Sequence, residues 1–301
     1  MAMTPAQFAK TVSVQLFNPA FREGQSEPIW AMEDVTSFKE SKMALEQVFP
    51  FTGMGAAKLS DVMGTVNYMD MEELDKFTWT HATYTSGAIL PQQLVEDSRY
   101  IEFTKEIGWA IGQGFNYVKY QLGALPFINA FDSTYPMFDG VEMCGTHTMT
   151  TGDTVVNKLS PMTLNWANLW DAVLYFEQGM VDQRGLPMVA QPKGVLFHTS
   201  KLKEVRKALE GSSQPDIMAP GNPNTLKKYA LNTTPCRLLL TKGDWFVYDT
   251  EFSRDNIFWT RVAPASDDGK EFDRYGVKFR CRARWSNGPR QGIHIVGVPA
   301  T

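Results

Sequence analysis

Residues 275–285 read YGVKFRCRARW, and apolar and charged side chains alternate along this stretch. A period of two residues is typical of a strand that buries one face. The two faces consist of Lys278, Arg280, Arg282 and Arg284 on one side, and Val277, Phe279, Cys281, Ala283 and Trp285 on the other. Four like charges on one face repel each other unless water or a negative partner covers them. The pattern therefore predicts either a solvated face or one that contacts an acidic surface or a polyanion.

The residues after this strand have the composition of a turn followed by a second strand. Ser286-Asn287-Gly288-Pro289 contains four turn-forming residues, and Ile293, Ile295 and Val298 follow it. Turn residues between two apolar stretches are typical of a hairpin. The sequence thus predicts that the chain ends in a β-hairpin.

A long helix is predicted to begin at Asp97 or Ser98 and to end at Leu122, before Gly123 and Pro126. Its stripe recurs every three or four residues, through Ile101, Thr104, Ile107, Ile111, Phe115, Val118 and Leu122. Three glycines inside this helix, Gly108, Gly112 and Gly114, cost about 2–3 kcal/mol relative to alanine. We therefore expect another backbone segment to pack closely against this helix.

The N-terminal third of the chain predicts elements that bury little surface of their own. Residues 1–30 are expected to form an extended arm, and residues 33–48 a helix. Residues 65–86 are expected to form a long hairpin, with Trp79 and Tyr84 in its second strand. A two-stranded ribbon alone is marginally stable in water. We therefore expect the hairpin to lie on another surface, and Trp79 and Tyr84 are candidate residues for contact between subunits.

The order of the remaining elements predicts an α+β protein with two lobes. A second amphipathic helix is expected over residues 163–180, inside an α/β insertion at roughly 151–250. The long helix and the C-terminal strands would form the other lobe.

The overall composition excludes several classes of protein. The net charge of −4 over 301 residues argues against a protein that coats nucleic acid along its whole surface. The three cysteines, Cys144, Cys236 and Cys281, are far apart, which argues against a disulfide framework and fits a reducing compartment. The sequence shows neither a signal-peptide pattern nor an apolar stretch that is long enough to span a membrane, so no membrane partner is predicted.

Motifs of catalysis and cofactor binding are weak. The sequence lacks a P-loop, an H-E-x-x-H and a G-x-S-x-G pattern, and the Gly53-Met54-Gly55 segment lacks the third glycine of a dinucleotide fingerprint. The densest polar group, Asp139, Glu142, Cys144 and His147, fits no standard zinc spacing. A Cys144–His147 hydrolase stays an alternative, but a turn with a hydrogen-bonded His147 is favoured. We predict no enzyme, no cofactor and no metal.

A series of short motifs in the middle of the chain resembles the major head subunit of Mu-type tailed phages. The series comprises Phe138-Asp139-Gly140, His147, Asn157, Leu159, the helix at 166–180, Asp182, Gly185, Leu186-Pro187, Pro192, Leu196 and the helix at 202–209. The order of elements also resembles the Hong Kong 97-type capsid fold, and the resemblance covers about residues 90–298.

The resemblance implies five regions. They are an N-terminal arm at 1–50, an extended loop at 51–90, a peripheral domain with the spine helix at 91–150, an axial domain at 151–250, and returning peripheral strands at 251–301. Within them, residues 68–86 would form the loop that lies on a neighbouring subunit. Lys58 and Lys76 lie near the region where some relatives are crosslinked, but we predict no crosslink.

The function that the resemblance implies is that of a major capsid protein. It would self-assemble as pentamers and hexamers into an icosahedral head that encloses double-stranded DNA, bound without sequence specificity. Its place would be the virion capsid, and the host cytoplasm during assembly. Scaffold, decoration and portal proteins are further expected partners. An encapsulin-like shell, with protein cargo, is the alternative within the same fold.

Overall fold

A computed structural model describes residues 5–54, 56–59, 66–91, 93, 100–211, 223–270 and 276–300; the side chains of 5–14, 100, 267–270, 276 and 277 are outside this description. The α-helices are α1 (Pro5–Gly24), α2 (Tyr100–Ile128), α3 (Trp166–Gly179), α4 (Leu202–Glu210) and α5 (Thr250–Asp255). The strands are β1 (Ser37–Glu40), β2 (Leu45–Val48), β3 (Phe77–Thr80), β4 (Ala82–Pro91), β5 (Thr146–Thr148), β6 (Thr154–Val156), β7 (Pro192–Phe197), β8 (Asn232–Pro235), β9 (Trp245–Asp249), β10 (Asn256–Lys270), β11 (Gly276–Pro289) and β12 (Ile295–Val298). Short 3-10 helices cover Met32–Asp34, Thr199–Lys201 and Thr225–Tyr229.

The fold contains two four-stranded sheets. The first has the strand order β1-β10-β11-β4, and β1 is parallel to β10 while the other pairs are antiparallel. The second has the order β12-β9-β7-β8. Helices α1 and α2 pack with the first sheet around one core, and α3 and α4 pack with the second around another. The predicted α+β class is confirmed, whereas the five predicted regions remain a proposal.

The alternating strand predicted at 275–285 corresponds to β11 from Gly276 onward, whereas Tyr275 lies outside the described residues. Its predicted two faces are confirmed where side chains are described. Phe279, Cys281, Ala283 and Trp285 are all buried. Arg280 and Arg282 are exposed. Strand β11 lies between β10 and β4 in the middle of the sheet.

The predicted C-terminal hairpin is wrong. Strand β11 continues through Pro289, because Asn287 and Gly288 are paired with Phe258 and Ile257 of β10. The last strand, β12, instead pairs with β9 in the second sheet. Cross-strand pairing and packing decide the conformation here, and they override the turn preference of the residues.

Helix α2 extends beyond the predicted end at Leu122 to Ile128, with Pro126 inside its last turns. Proline has no N–H, so Pro126 leaves the carbonyl of Leu122 without its helical donor. The side-chain amide of Asn287 donates to that carbonyl at 2.9 Å. The helix therefore tolerates Pro126 because β11 supplies the missing donor.

The expected close neighbour of α2 is α1. A Cβ atom on Gly108 would lie 2.8 Å from the carbonyl oxygen of Phe17, and one on Gly112 would overlap the carbonyl oxygen of Phe21. Both contacts are closer than 3.0 Å, a separation below which real Cβ atoms are essentially never found. The two glycines thus let the helix backbones meet, as the sequence indicated. Gly114 has no such neighbour within 4 Å.

The prediction of an extended arm at 1–30 is therefore wrong for the residues that the structure describes. Phe17 and Phe21 are buried. The ring of Phe17 stacks on that of Phe279 with centroids 4.4 Å apart, and Phe21 meets Phe115 edge to face. Aromatic burial of this kind stabilises α1 on the chain's own sheet and helix.

The predicted helix at 33–48 is also wrong, and so is the hairpin pairing at 65–86, although its second strand is present as β3 and the first part of β4. Residues 37–40 form β1 and residues 45–48 form β2, and β2 pairs with β3. Strand β4 pairs with β11, and the described part of 65–71 contains no regular strand. A spacing of three and four residues suits a helix, but pairing with β10 and β3 supplies backbone hydrogen bonds that a local pattern cannot reveal.

The helix predicted at 163–180 is confirmed as α3. It begins at Trp166 because the side chain of Asn165 accepts a hydrogen bond from the backbone N–H of Asn168. Its buried stripe comprises Leu169, Ala172, Val173 and Phe176. Within the described residues, no helix combines the length and the hydropathy needed to cross a membrane.

Candidate intersubunit and anion-binding surfaces

The four cations of β11, Lys278, Arg280, Arg282 and Arg284, form what we term the basic face. The register of the sheet places them opposite Ile89, Gly87, Thr85 and Thr83 of β4, respectively. Arg280 and Arg282 are exposed, whereas Lys278 and Arg284 are half-buried. The other face of β11 packs into the core, so the sheet holds these cations in a fixed row.

A broad, open pocket of about 820 Å³ lies on the basic face. Its lining includes Thr85, Arg280 and Arg282 on the basic face, and also Ser86 and Ser266, of which Ser266 donates its hydroxyl to Asn18 of α1. Guanidinium and hydroxyl groups together suit carboxylate or phosphate oxygens, because both can donate hydrogen bonds to them. The geometry therefore fits an anionic partner.

A buried histidine connects the end of the basic face to the β2–β3 segment. His81 is 4% exposed, and its ring nitrogens lie 3.1 Å from the hydroxyl of Ser41 and 3.0 Å from that of Ser286. Ser41 also donates a hydrogen bond to Glu46. Burial lowers the pKa of His81; Glu46 opposes this shift, while Arg284 and Arg261 add to it. A neutral imidazole thus anchors the segment to β11.

The other two predicted site residues, Trp79 and Tyr84, lie against their own chain. Trp79 is 4% exposed, and its ring meets that of Phe77 edge to face at 4.8 Å. Its indole nitrogen would lie 2.9 Å from a Cβ on Gly288, so that glycine permits the close approach. Tyr84 is half-buried against Trp285. A role for either residue in subunit contact remains a prediction.

Sequence reasoning missed a large exposed apolar surface on the segment 43–71, which we term the apolar segment. At least 40% of each of these side chains is exposed: Met43, Leu45, Phe49, Phe51, Met54, Leu59, Val66, Tyr68 and Met71. Large exposed apolar patches on soluble proteins usually mark interaction sites. The sequence feature that could have revealed this surface is the high density of Met, Phe and Leu in a region that also contains several glycines.

The polar residues at 139–147 stabilise the fold locally through hydrogen bonds with each other and with the backbone. The Nδ1 of His147 lies 2.5 Å from a carboxylate oxygen of Asp139, and its Nε2 faces the carbonyl of Met143 at 3.3 Å. Cys144 is fully buried, and this burial raises the pKa of its thiol. A buried thiol with a raised pKa makes a poor nucleophile. Among the described residues, no group of three or more His, Cys, Asp or Glu could hold a metal ion.

Neither a protein-family model nor a curated protein matches this sequence. Solved structures, however, match it with probability 1.00 over most of the chain. A virus-like particle from Pyrococcus furiosus matches with a TM-score of 0.58 at 7% identity, over 94% of this chain and 98% of the other.

Two further matches are the capsid of a GTA particle and a bacteriophage procapsid. The capsid of an empty GTA particle matches with a TM-score of 0.57 at 11% identity, over 91% of each chain. The procapsid of bacteriophage JBD30 matches with a TM-score of 0.51 at 14% identity, over 99% of this chain and 77% of the other. The chain therefore has the Hong Kong 97-type fold of tailed-phage capsid proteins.

Proposed function

We propose that this chain is a major capsid protein, which assembles with copies of itself into a closed icosahedral shell. The observation that carries the proposal is the fold, which is shared with capsid proteins over nine-tenths of the chain or more. The Mu-type relationship and the five regions given above are part of this proposal.

The apolar segment supports assembly on energetic grounds. Burying one large apolar side chain contributes about 1.5–3 kcal/mol. Nine such side chains are exposed among the described residues of this segment, so contact with another copy would remove a substantial apolar surface from water. Because each subunit in a shell makes several contacts at once, each contact can be modest. The surface thus suits a subunit whose most stable state is an assembly.

The proposed shell has pentamers and hexamers and encloses double-stranded DNA. The anion-binding geometry of the basic face supports a negatively charged partner, either DNA or protein. Scaffold, decoration and portal proteins would take part in assembly, in the host cytoplasm, and the mature location is the virion capsid. The role is structural and not enzymatic: Cys144 is buried, and His147 is held by Asp139.

An encapsulin-like shell is the second candidate, because a virus-like particle is among the structures that share the fold. The test is to express the chain, purify particles and treat them with nuclease. Closed shells with protected genomic DNA are the expected result. Shells that contain a specific enzyme and no protected DNA would favour the second candidate. A chain that stays monomeric with and without co-expressed phage proteins would refute both.

A further inference from the structure

Strand β10 contains one extra residue beside the Arg284 end of the basic face. In the pairing of β10 with β11, Thr260 lies opposite Trp285. The next pair joins Val262 to Arg284, so Arg261 stands between the two pairs. An extra residue of this kind is a β-bulge, in which two residues of one strand oppose a single residue of the other. The bulge therefore places Arg261 directly beside Arg284.

The guanidinium groups of these two arginines lie on the same side of the sheet. Arg261 and Arg284 both contribute to the lowered pKa of His81, so both groups lie near this imidazole. The imidazole is 3.0 Å from the hydroxyl of Ser286. Ser286 lies two residues after Arg284 and therefore shares its face of β11. The two cations are thus neighbours on the side of the sheet that faces away from the core.

Neither guanidinium group has a partner in the part of the chain that the structure describes. Both side chains are half-buried, and neither forms an ion pair or a hydrogen bond there. The Nε of each is buried without an acceptor, and so is the indole N–H of Trp259, which lies opposite Ser286. Partly buried cations that lack a counter-charge are costly, and neighbouring ones repel each other. The arrangement therefore favours an anionic ligand.

A third cation reaches the same area from the neighbouring strand. Lys39 of β1 is paired with Trp259, and its ammonium lies 5.7 Å from the centre of the indole ring. Among the described groups that act on His81, the only carboxylate is that of Glu46, which already accepts a hydrogen bond from Ser41. Three positive charges from three adjacent strands thus surround a region with one negative charge.

Open space adjoins these cations, and its chemistry suits phosphate. The pocket of about 820 Å³ on the basic face is lined by Val262, which lies opposite Arg284, and by Arg282. Guanidinium groups donate pairs of N–H bonds to the oxygens of phosphates and carboxylates. Phosphate fits three cations from three strands better than a carboxylate does, because it carries up to two negative charges and offers at least three oxygens.

We propose that Arg261 and Arg284, together with Lys39, form a binding site for a phosphate oxyanion. The site is built from β1, β10 and β11 of one chain, so it goes beyond the proposed function and does not require assembly. Two sources supply this chemistry, namely free inorganic phosphate and the phosphodiester groups of enclosed DNA. Bound phosphate neutralises cations that otherwise repel each other, so it stabilises this end of the sheet.

Titration calorimetry of the full chain with inorganic phosphate, at constant ionic strength, measures the site directly. Constant ionic strength excludes general screening as the cause of the signal. Phosphate should bind saturably, and Arg261→Met/Arg284→Met should weaken binding at least roughly tenfold, because it removes charge-assisted hydrogen bonds. The matched control, Arg22→Met/Arg237→Met, replaces two exposed arginines of α1 and of the segment after β8 and should bind like the parent. Absence of saturable binding, or equal weakening in both variants, would overturn the inference.

Urea unfolding separates a ligand site from a purely structural role of the two arginines. Phosphate should raise the urea midpoint of the parent, because it binds the folded state, and should leave that of Arg261→Met/Arg284→Met unchanged. In phosphate-free buffer this variant should be at least as stable as the parent, because methionine keeps an apolar stem and removes the repulsion. A variant that is less stable than the parent in phosphate-free buffer, or that gains as much from phosphate, would contradict the proposal.

A short DNA duplex identifies the source of the phosphate. If the duplex displaces inorganic phosphate from the parent chain, the site holds a phosphodiester of DNA. If the duplex leaves bound phosphate in place, the site holds the free ion, and both results support a phosphate site. Failure to bind phosphate would remove the site and leave the proposed function standing, whereas a chain that binds phosphate but never assembles would refute only the proposed function.

Discussion

The contact between α1 and α2 gives a sharp test, because two glycines of one helix have opposite surroundings. A methyl group on Gly112 would overlap the carbonyl oxygen of Phe21, whereas Gly114 is exposed and has nothing within 4 Å of such a methyl group. Replacing either glycine by alanine gains about 1 kcal/mol of helix propensity. Only Gly112→Ala adds an overpacking penalty, which is about 1–3 kcal/mol in tight interfaces.

The propensity gain is common to both variants and cancels in their comparison. Gly112→Ala should therefore be about 1–3 kcal/mol less stable than Gly114→Ala. If the clash displaced α1, the loss would be larger, because Phe17 and Phe21 each contribute about 1.5–3 kcal/mol by burial. Urea unfolding of unassembled subunits, followed by tryptophan fluorescence, measures this difference without the contribution of assembly. Equal unfolding midpoints for the two variants would show that α1 does not pack on Gly112.

Three further predictions concern stability and assembly. The folded state lowers the pKa of His81 chiefly by burial; for His294, burial lowers the pKa, but the hydrogen bond and charge of Asp249 raise it overall. The stability that His81 contributes is thus present above about pH 6.5 and is lost as the pH falls, whereas the stability that His294 contributes is present below about pH 6.5 and is lost as the pH rises. The urea midpoints of His81→Asn and His294→Asn, measured against pH and relative to the parent, should therefore have slopes of opposite sign. Parallel curves for the two variants would contradict this. Asn157→Leu should destabilise the subunit by at least about 3 kcal/mol in the same assay, because it removes hydrogen bonds to the buried backbone of residues 143, 145 and 292. A loss of less than about 1 kcal/mol would argue against these hydrogen bonds. Phe51→Ser/Tyr68→Ser should raise the assembly concentration at least tenfold, judged by light scattering, and leave the urea midpoint of the subunit unchanged; unaltered assembly would mean that these side chains stay exposed in the shell.

The sequence predicted those parts of the fold that depend on local periodicity. The alternation around Phe279 and Arg280 identified a strand with one buried face, and the apolar stripe around Leu169 identified α3. The glycines of α2 also predicted a closely packed backbone neighbour. Each of these signals comes from residues that are close to each other in the sequence.

What failed depends on contacts between residues far apart in the chain. The turn signal at Asn287-Gly288 was misleading, because Asn287 instead donates to the carbonyl that Pro126 leaves free in α2. The neighbour of Gly112 could not be identified as α1, since Phe21 is about ninety residues away. For the candidate site, the four cations of β11 were found by alternation. The apolar segment was not, because exposure is a property of the folded chain.

Electron cryomicroscopy of the purified protein tests most directly whether this chain forms a shell. We expect closed particles of uniform size with icosahedral symmetry, in which five-fold and six-fold clusters of the same subunit have their apolar segments covered by neighbouring copies. A monodisperse monomer, with residues such as Leu59 and Tyr68 still exposed under every assembly condition, would contradict the proposal.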